Sequence, residues 1–452
     1  MDYVIYFIIT IGILVFIHEF GHFAAAKLCG MRADVFAIGF GKRLFGWNKI
    51  SGFTFGDLPK DFDGGGHTDY RLSLLPLGGY VKIAGMIDES FDTKFANEEP
   101  KPYEFRAKPT WQKVIVISAG VFMNFLLAIL VFWGIKFFQG DQIIKSTTIG
   151  YVSPHSIADS LGFKEGDKVL SINGDKVSDW QELNSDLLVN NLGEELHVNL
   201  LRDGKQLKLD IPWKKMPQKA TTEPILSVDG LSRPLIGEVV PNSPAEKAGL
   251  KSGDYLLKLN NQDVHSSFEA TQIISSHKEQ TFPVVVLRDS QKVSLMATPG
   301  KDGILGIQIT QLFKGKVDFK TYGFFESFKY GWQDIVMITD LTFKTAAKVI
   351  KGQVAFRQSF TGPIGIAKYA TKSAETGIVS FLRFLALLSL SLALLNIMPF
   401  PVLDGGHLVI ILIEGTIKRE IPIKIKLAIQ NTGLALSLLL MAFIIYNDIL
   451  NL

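Results

Sequence analysis

The sequence has a single cysteine, Cys29, in 452 residues. One cysteine excludes an internal disulfide framework and any zinc site built from several cysteines, so metal ligands must come from histidine, aspartate or glutamate. Surplus positive charge is also lacking, since the formal net charge is only +3. Nucleic acid is therefore not an expected partner, because binding to the phosphate backbone depends on surplus lysine and arginine. No basic stretch precedes the first apolar run, so we do not expect a cleaved signal peptide.

Long apolar runs dominate the chain. Hydrophobic residues make up 47% of the sequence and charged residues 20%, and the two populations are segregated. Four runs are long enough to cross a bilayer, at about residues 3–28, 114–138, 377–400 and 427–446. The sequence therefore predicts a polytopic α-helical membrane protein with four transmembrane helices and the lipid bilayer as a partner.

Basic residues predict the orientation of these spans. The loop after the first span carries Lys27, Arg32, Lys42, Arg43 and Lys49, and the loop before the fourth carries Lys418, Arg419, Lys424 and Lys426. Cytoplasmic loops are enriched in lysine and arginine, so both loops should be cytoplasmic. The two termini and the segment between the second and third spans should then be periplasmic, in the inner membrane of a bacterium.

The segment 321–350 alternates aromatic and aliphatic residues with charges. Charges at this density would be costly at the centre of a bilayer, so we predict an amphipathic helix rather than a fifth span. It falls within a predicted connecting region, 313–372, that precedes the second part of the membrane domain, 373–452.

The segment between the second and third spans contains an internal repeat. Residues 149–177 align with residues 236–264 at a constant offset, which predicts two copies of one domain, 141–222 and 223–312. The shared pattern V-x-P-x-S-x-A-x-x-x-G-[FL]-x-x-G-D-x-[VL]-L-x-[IL]-N resembles the circularly permuted bacterial PDZ domain, an α+β fold. PDZ domains bind a peptide as an added strand. The repeats either bind peptides in this way or screen the membrane domain sterically.

The first span contains HEFGH at 18–22, which fits the pattern H-E-x-x-H. In a helix this spacing places His18 and His22 on one face, where they can bind zinc, and sets Glu19 beside the metal's water. Ionisable residues inside a span are costly and usually mark function. The alternative is a pair of histidines that only packs helices.

A catalytic zinc needs a third protein ligand. Five other histidines fall in loops or in the repeats: His67, His155, His197, His265 and His277. Asp404 and His407 follow the third span, and we favour Asp404, because the first and third spans run in the same direction and reach a similar depth at His18 and Asp404. Asp-Gly is also a common turn dipeptide, so a turn at the membrane surface is the alternative. One zinc ion per chain is expected.

HEFGH in the first span, the motif NxxPxPxLDGG at 396–406 and the PDZ-like repeats together resemble the site-2 protease family of intramembrane zinc metalloproteases, in its bacterial regulator of sigma-E protease branch. The resemblance covers nearly the whole chain. It implies that His18, His22 and Asp404 are zinc ligands and that Glu19 is the general base. It also implies regulated intramembrane proteolysis of single-span membrane proteins, with an anti-sigma factor of an envelope stress response or remnant signal peptides as substrates.

The same resemblance identifies residues for substrate binding. Residues 68–85 resemble the family's membrane re-entrant β-hairpin, in which an edge strand holds the substrate extended, and we assign Gly78, Gly79 and Tyr80 to that contact. Asn396, Pro399 and Pro401 complete the predicted substrate site; an interhelical hydrogen bond is the alternative role for Asn396. The segment 48–67 is longer than the family pattern, and no role follows for it.

Two other functional classes fit parts of this pattern. A metal transporter would also carry histidine and aspartate in its spans, but it should show a polar path across the bilayer. A membrane-anchored PDZ scaffold would need no His-Glu pair in a span. The metalloprotease is therefore the favoured function, and either alternative would survive the loss of Glu19.

Overall fold

The computed structural model describes residues 2–59, 62, 64–86, 99–187, 191, 195–215, 226–350 and 362–450. The chain divides into two compact units. The first unit comprises Met1–Gly140, Thr321–Ala346 and Phe356–Leu452, and the second comprises Asp141–Lys320 and Ala347–Ala355. The predicted boundary between the repeats at 222/223 and part of the predicted connecting region, 351–361, lie outside the described residues.

The helices, in chain order, are α1 (Asp2–Leu28), α2 (Thr110–Phe138), α3 (Ile157–Ser160), α4 (Trp180–Ser185), α5 (Pro244–Lys247), α6 (Ser267–Ser276), α7 (Phe324–Ile350), α8 (Pro363–Thr376), α9 (Ile378–Asn396), α10 (Asp404–Ile417) and α11 (Ile423–Leu450). The strands are β1 (Ala33–Asn48), β2 (Gly52–Phe55), β3 (Asp69–Ile83), β4 (Asp141–Ile143), β5 (Lys168–Ile172), β6 (Asp175–Lys176), β7 (Leu196–Arg202), β8 (Lys205–Ile211), β9 (Leu235–Val239), β10 (Tyr255–Leu259), β11 (Gln262–Asp263), β12 (Phe282–Arg288), β13 (Gln291–Ala297), β14 (Ile307–Thr310) and β15 (Asp318–Lys320).

Four helices in the described part of the chain are long and apolar enough to cross a membrane: Tyr3–Leu28, Thr110–Phe138, Ile378–Asn396 and Ile423–Asp448. They correspond to the four predicted spans, so the polytopic helical class is confirmed. Helix α7 is not among them, in agreement with the predicted amphipathic helix.

The third span is shorter than predicted. The sequence suggested a span to residue 400, whereas α9 ends at Asn396. Pro399 and Pro401 follow closely, and proline disfavours helical backbone in the residue before it. Val402 has a φ of 81°, a conformation that is rare and strained for a β-branched residue. The chain thereby turns sharply, and Asp404 begins a separate helix, α10, instead of ending the span.

The sheet of the first unit differs from the predicted hairpin. Both ends of β3 pair with β1: Tyr80 of the C-terminal arm lies opposite Ala37 in an antiparallel pair, and Arg71 of the N-terminal arm lies on the other side of the same Ala37. The N-terminal half of β1 therefore lies between the two arms of β3, instead of the arms pairing with each other. The predicted long loop at 48–67 contributes β2, which pairs with the other end of β1.

The second unit contains the repeat as two similar folds. The first copy forms a sheet in the order β6-β5-β7-β8, and the second forms β13-β12-β10-β9-β14 with β11 on β10. A short helix and a capping serine occupy matching places, since Ser156 caps α3 and Ser243 caps α5. Each copy buries its own apolar core.

The same ion pair recurs in both copies. The Arg202 guanidinium donates two hydrogen bonds of 2.7 Å to the buried carboxylate of Asp167, and Arg288 does the same for Asp254. Because these residues hold equivalent positions, the alignment of the two sequences reflects equivalent packing.

The two copies also touch. The Tyr151 hydroxyl donates a 2.7 Å hydrogen bond to Glu269, and Ser153 and Ser266 share another of 2.7 Å. Burial, with the bond to Glu269, raises the pKa of Tyr151 to about 12. The phenol therefore stays protonated over the physiological range, and this contact between the copies is not sensitive to pH there.

Candidate metal and catalytic site

The side chains of His18 and His22 lie one turn apart on the same face of α1. The spacing of four residues makes them neighbours on a helix surface. Their Nε2 atoms are 3.2 Å apart, and their rings meet edge to face. The predicted pairing of the two histidines is therefore present in the structure.

Asp404 reaches the same point from the first turn of α10. Its Oδ2 atom lies 3.2 Å from Nε2 of His18 and 3.5 Å from Nε2 of His22. The three side chains are 14%, 11% and 17% exposed, so the cluster is largely shielded from solvent but remains reachable. Among the described residues, this is the one group of at least three potential ligands whose donor atoms all lie within 4.8 Å of one another.

The second nitrogen of His22 has a fixed partner. Nδ1 lies 2.9 Å from the carbonyl oxygen of Val116 on α2. A carbonyl only accepts hydrogen bonds, so Nδ1 carries the proton and Nε2 presents its lone pair to the centre of the cluster. Metal-binding histidines are held in this way, with the other ring nitrogen donating to a carbonyl or carboxylate.

Asn124 on α2 is the matching partner of His18. Its Nδ2 atom lies 3.2 Å from Nδ1 of His18, while its Oδ1 atom is buried and has no hydrogen-bond partner. The two ends of an amide group are nearly isosteric, and their assignment follows from the hydrogen-bond network. When Oδ1 of Asn124 is turned toward the imidazole ring, it accepts a hydrogen bond from Nδ1–H of His18. Nε2 of His18 then carries no proton and can bind a metal. The Ser389 hydroxyl of α9 donates a 2.7 Å hydrogen bond to the backbone carbonyl oxygen of Asn124, which joins α2 to α9.

Gly120 leaves the space that the imidazole rings occupy. A Cβ atom on this residue would lie 2.3 Å from Nε2 of His22 and 2.7 Å from Cε1 of His18. Any side chain would therefore displace both rings. Gly120 and Asn124 are four residues apart, so one face of α2 supports both histidines.

The donor set fits zinc. Two imidazole nitrogens and one carboxylate oxygen are the ligand types of a catalytic zinc site, which keeps a further position for water. Asp404 Oδ2 is buried and has no hydrogen-bond partner, although two imidazole nitrogens lie near it. A buried carboxylate oxygen without a partner is costly unless a cation or donor satisfies it, and a metal at this point would do so.

Glu19 lies beside the first histidine and faces the sheet. A Cβ atom built on Gly79 of β3 would lie 3.1 Å from Cγ of Glu19 and 2.7 Å from Cγ1 of Val15. The backbone of β3 therefore comes as close to α1 as a glycine allows. Glu19 is partly exposed.

The remaining predicted residues occupy two segments near this cluster. Gly78, with a φ of 133°, lies under the ring of Phe40, and the Tyr80 ring stacks on the same Phe40 at 6.1 Å. Arg71 also donates a hydrogen bond to the Tyr80 hydroxyl. This side chain is thus held in place while the backbone of Gly79 lies next to α1.

The segment after α9 folds tightly. A Cβ atom on Gly405 would lie 2.2 Å from the carbonyl oxygen of Met398, and one on Gly433 of α11 would lie 2.4 Å from Cβ of Pro401. Pro401 therefore packs on α11, and Pro399 is exposed. Asn396 is the last residue of α9 and is half-buried.

His407 lies outside the cluster formed by His18, His22 and Asp404. It lies one turn beyond Asp404, with its Nε2 atom 3.3 Å from Nε2 of Gln430 on α11. The sequence did not point to Gly120 or Val116, and from sequence Asn124 is more readily interpreted as a helix-packing residue than as a catalytic group. A polar residue within an apolar span was the available signal for Asn124.

Comparisons with known proteins match the whole chain. The model of peptidase family M50 matches residues 6–440. A relative from Vibrio cholerae, named a zinc metalloprotease, is 33% identical over 98% of this chain and 97% of its own length. The regulator of sigma E protease of Haemophilus influenzae is 33% identical over 99% of this chain and 98% of its own. Protease RseP of Yersinia pestis is 32% identical, with coverages of 98% and 97%.

Proposed function

This chain belongs to peptidase family M50, and on that premise we propose that His18, His22 and Asp404 hold its zinc ion and that Glu19 is the general base. The protein is a zinc metalloprotease. The observation that carries the assignment of residues is the convergence of Nε2 of both histidines and Oδ2 of Asp404.

Zinc, when bound, supplies Lewis acidity toward the scissile carbonyl and toward water. The chain's own residues do the rest. Glu19 takes the proton of the attacking water and returns it to the leaving amine nitrogen. Val116, and Asn124 with its Oδ1 turned to the His18 ring, keep the two histidines in the tautomer that leaves Nε2 free. Fixed side-chain geometry of this kind limits the reorganisation needed during the reaction.

A substrate within a membrane must be unwound before it is cut, because a helix hides its carbonyls in internal hydrogen bonds. We assign this task to the C-terminal arm of β3, where Gly78, Gly79 and Tyr80 lie. An extended peptide beside this arm would satisfy its backbone groups by strand addition. The proximity of Gly79 to Glu19 supports the assignment, because it brings such a peptide to the general base. Asn396, with Pro399 and Pro401, would complete the substrate contact.

The names of the relatives suggest the biological role. Proteins named regulator of sigma E protease share about a third of this sequence over nearly their full length. We therefore propose that the substrates are single-span membrane proteins, among them an anti-sigma factor. The repeats of the second unit would be periplasmic PDZ-like domains that receive or screen these substrates. This topology rests on the distribution of basic residues.

A substitution of Glu19 tests the mechanism. Glu19→Gln is isosteric and should retain zinc, because Glu19 is not a ligand. It should slow hydrolysis by about 10²–10⁴-fold, since an amide cannot take the proton. Zinc content by atomic emission and cleavage of a single-span substrate in detergent would be measured together on the full chain.

A ligand variant is the matched control. His22→Phe should lose both zinc and activity, which separates loss of the base from loss of the metal. Cleavage by Glu19→Gln near the wild-type rate would show that Glu19 is structural. Full zinc occupancy in His22→Phe would instead refute the proposed ligand set.

A further inference from the structure

Strands β1 and β2 carry four large aromatic side chains on one face. Phe45 lies opposite Phe55, and Trp47 lies opposite Phe53, across the antiparallel pair. Alternate residues of a strand share a face, so these four residues form one surface, called here the aromatic face. Their exposed fractions are 37% for Phe45, 47% for Trp47, 59% for Phe53 and 79% for Phe55. So much exposed aromatic surface on a small sheet marks an interaction site.

A buried arginine joins the strands that carry the aromatic face to the rest of the sheet. Arg43 of β1 is only 3% exposed, and its guanidinium donates two hydrogen bonds of 3.2 Å to the Asp69 carboxylate. It also donates to the carbonyl oxygens of Thr54 at 3.1 Å and Gly56 at 2.6 Å. One buried side chain thus fastens β2 to the rest of the sheet, so the aromatic face belongs to a fixed element.

Ring contacts continue from the aromatic face to the first membrane span. Trp47 packs on Tyr70 at 6.0 Å, and Tyr70 packs on Phe23 of α1 at 5.7 Å. Phe23 lies four residues before Lys27, which is about 6 Å along a helix. The ammonium of Lys27 lies 5.5 Å from the centre of the Phe23 ring. The sheet therefore joins α1 where its apolar stretch ends and its first basic residue begins.

The charged residues around the aromatic face also favour a membrane interface. Lys42 and Lys49 are exposed near the two ends of the β1 segment that bears the aromatic face. Tryptophan and other aromatic residues concentrate at membrane interfaces, and lysines beside them favour anionic lipid headgroups. A protein partner would be the other possible occupant, but the continuity with a lipid-exposed span favours lipid.

We propose that the aromatic face is a lipid-binding surface that enters the membrane interface beside the end of α1. The sheet that carries β3 is thereby anchored to the bilayer by its own side chains as well as by its contacts with α1. The surface contains none of the residues assigned to zinc, water or peptide, so it is a separate site on this chain.

Depth-dependent quenching tests this proposal. Because Cys29 is the sole cysteine, a Cys29→Ala chain accepts one labelled cysteine. Phe55→Cys would carry the fluorophore NBD, and the full chain would be reconstituted in vesicles of phosphatidylethanolamine and phosphatidylglycerol. Lipids with a nitroxide at a shallow acyl position should quench this label several-fold more strongly than a label at Thr54→Cys. Thr54 is a control on the same strand, since it lies between Phe53 and Phe55 in a regularly paired stretch and its side chain therefore points to the opposite face.

Phe53→Cys provides a second, independent label on the aromatic face, and zinc content reports that each labelled chain is folded. Equal quenching at residues 55 and 54 would overturn the proposal. So would an emission spectrum at residue 55 that shifts to the blue without quenching by lipid, because the aromatic face would then be covered by protein.

Discussion

Gly120 is the residue whose size decides whether the two histidines can converge. A methyl group at this point would lie 2.3 Å from Nε2 of His22, well inside contact distance. Gly120→Ala should therefore displace the rings and empty much of the zinc site. Zinc content and hydrolysis should fall together, as measured on purified protein in detergent.

Gly134 of the same helix is the control for this change. No heavy atom lies within 4 Å of a Cβ atom built there, and alanine is the better helix former by about 1 kcal/mol. Gly134→Ala should therefore leave zinc and activity intact. Loss of zinc in both variants would mean that α2 tolerates no change, and the specific explanation for Gly120 would fail.

Asn124 is expected to act on zinc affinity through His18. Asn124→Leu removes the amide and should weaken zinc binding by about 10–100-fold, the usual effect of losing a partner that orients a metal-binding histidine. Competition with a chelator would measure it. Ser389→Ala removes only the hydrogen bond to the Asn124 backbone and should have a smaller effect. An unchanged affinity in Asn124→Leu would restrict Asn124 to helix packing.

The convergence of His18, His22 and Asp404 could be predicted from sequence, whereas the groups that contact the two histidines could not. His18 and His22 follow from helical periodicity, and Asp404 follows from the depth of two spans. The carbonyl of Val116 has no signature in the sequence, because every residue has one. The contact between Asn124 and His18 depends on how two helices are rotated against each other, which an apolar run does not specify.

Among the elements, each repeat depends on one buried ion pair. The Asp167 carboxylate is fully buried, and Arg202 is its partner. Arg202→Ala leaves that charge uncompensated and should destabilise the segment 141–320 by about 3–5 kcal/mol. Urea unfolding of that segment would measure the change, with Lys205→Ala, an exposed neighbour across the β-turn, as control. Equal stability of both variants would contradict the role of the pair.

The repeat was predictable because the two copies share turn residues at the same positions. The sheet of the first unit was not, since its pairing joins segments that are far apart in sequence. The turn signals at Gly78 and Gly79 suggested a local hairpin, but β1 lies between the arms of β3. Local sequence patterns predict where strands form. They do not predict which strands lie side by side when the partners are far apart in the sequence.

For the whole molecule, the distribution of basic residues predicts the topology. Alkaline phosphatase fused within 141–310 should be active, because that segment should be periplasmic. A fusion within 86–110 should be inactive, because the adjoining loop is rich in lysine and arginine. The two fusions control for each other, and activity of the second alone would reverse the orientation.

The zinc site also has a consequence for how the protein is made. In the proposed ligand set, two ligands lie in the first span and the third, Asp404, lies on α10, so a ribosome must synthesise the chain through residue 404 before the three can meet. A partly inserted chain therefore holds no complete catalytic centre. The newly synthesised protein should therefore be unable to cut neighbouring membrane proteins until α10 has packed against the first span.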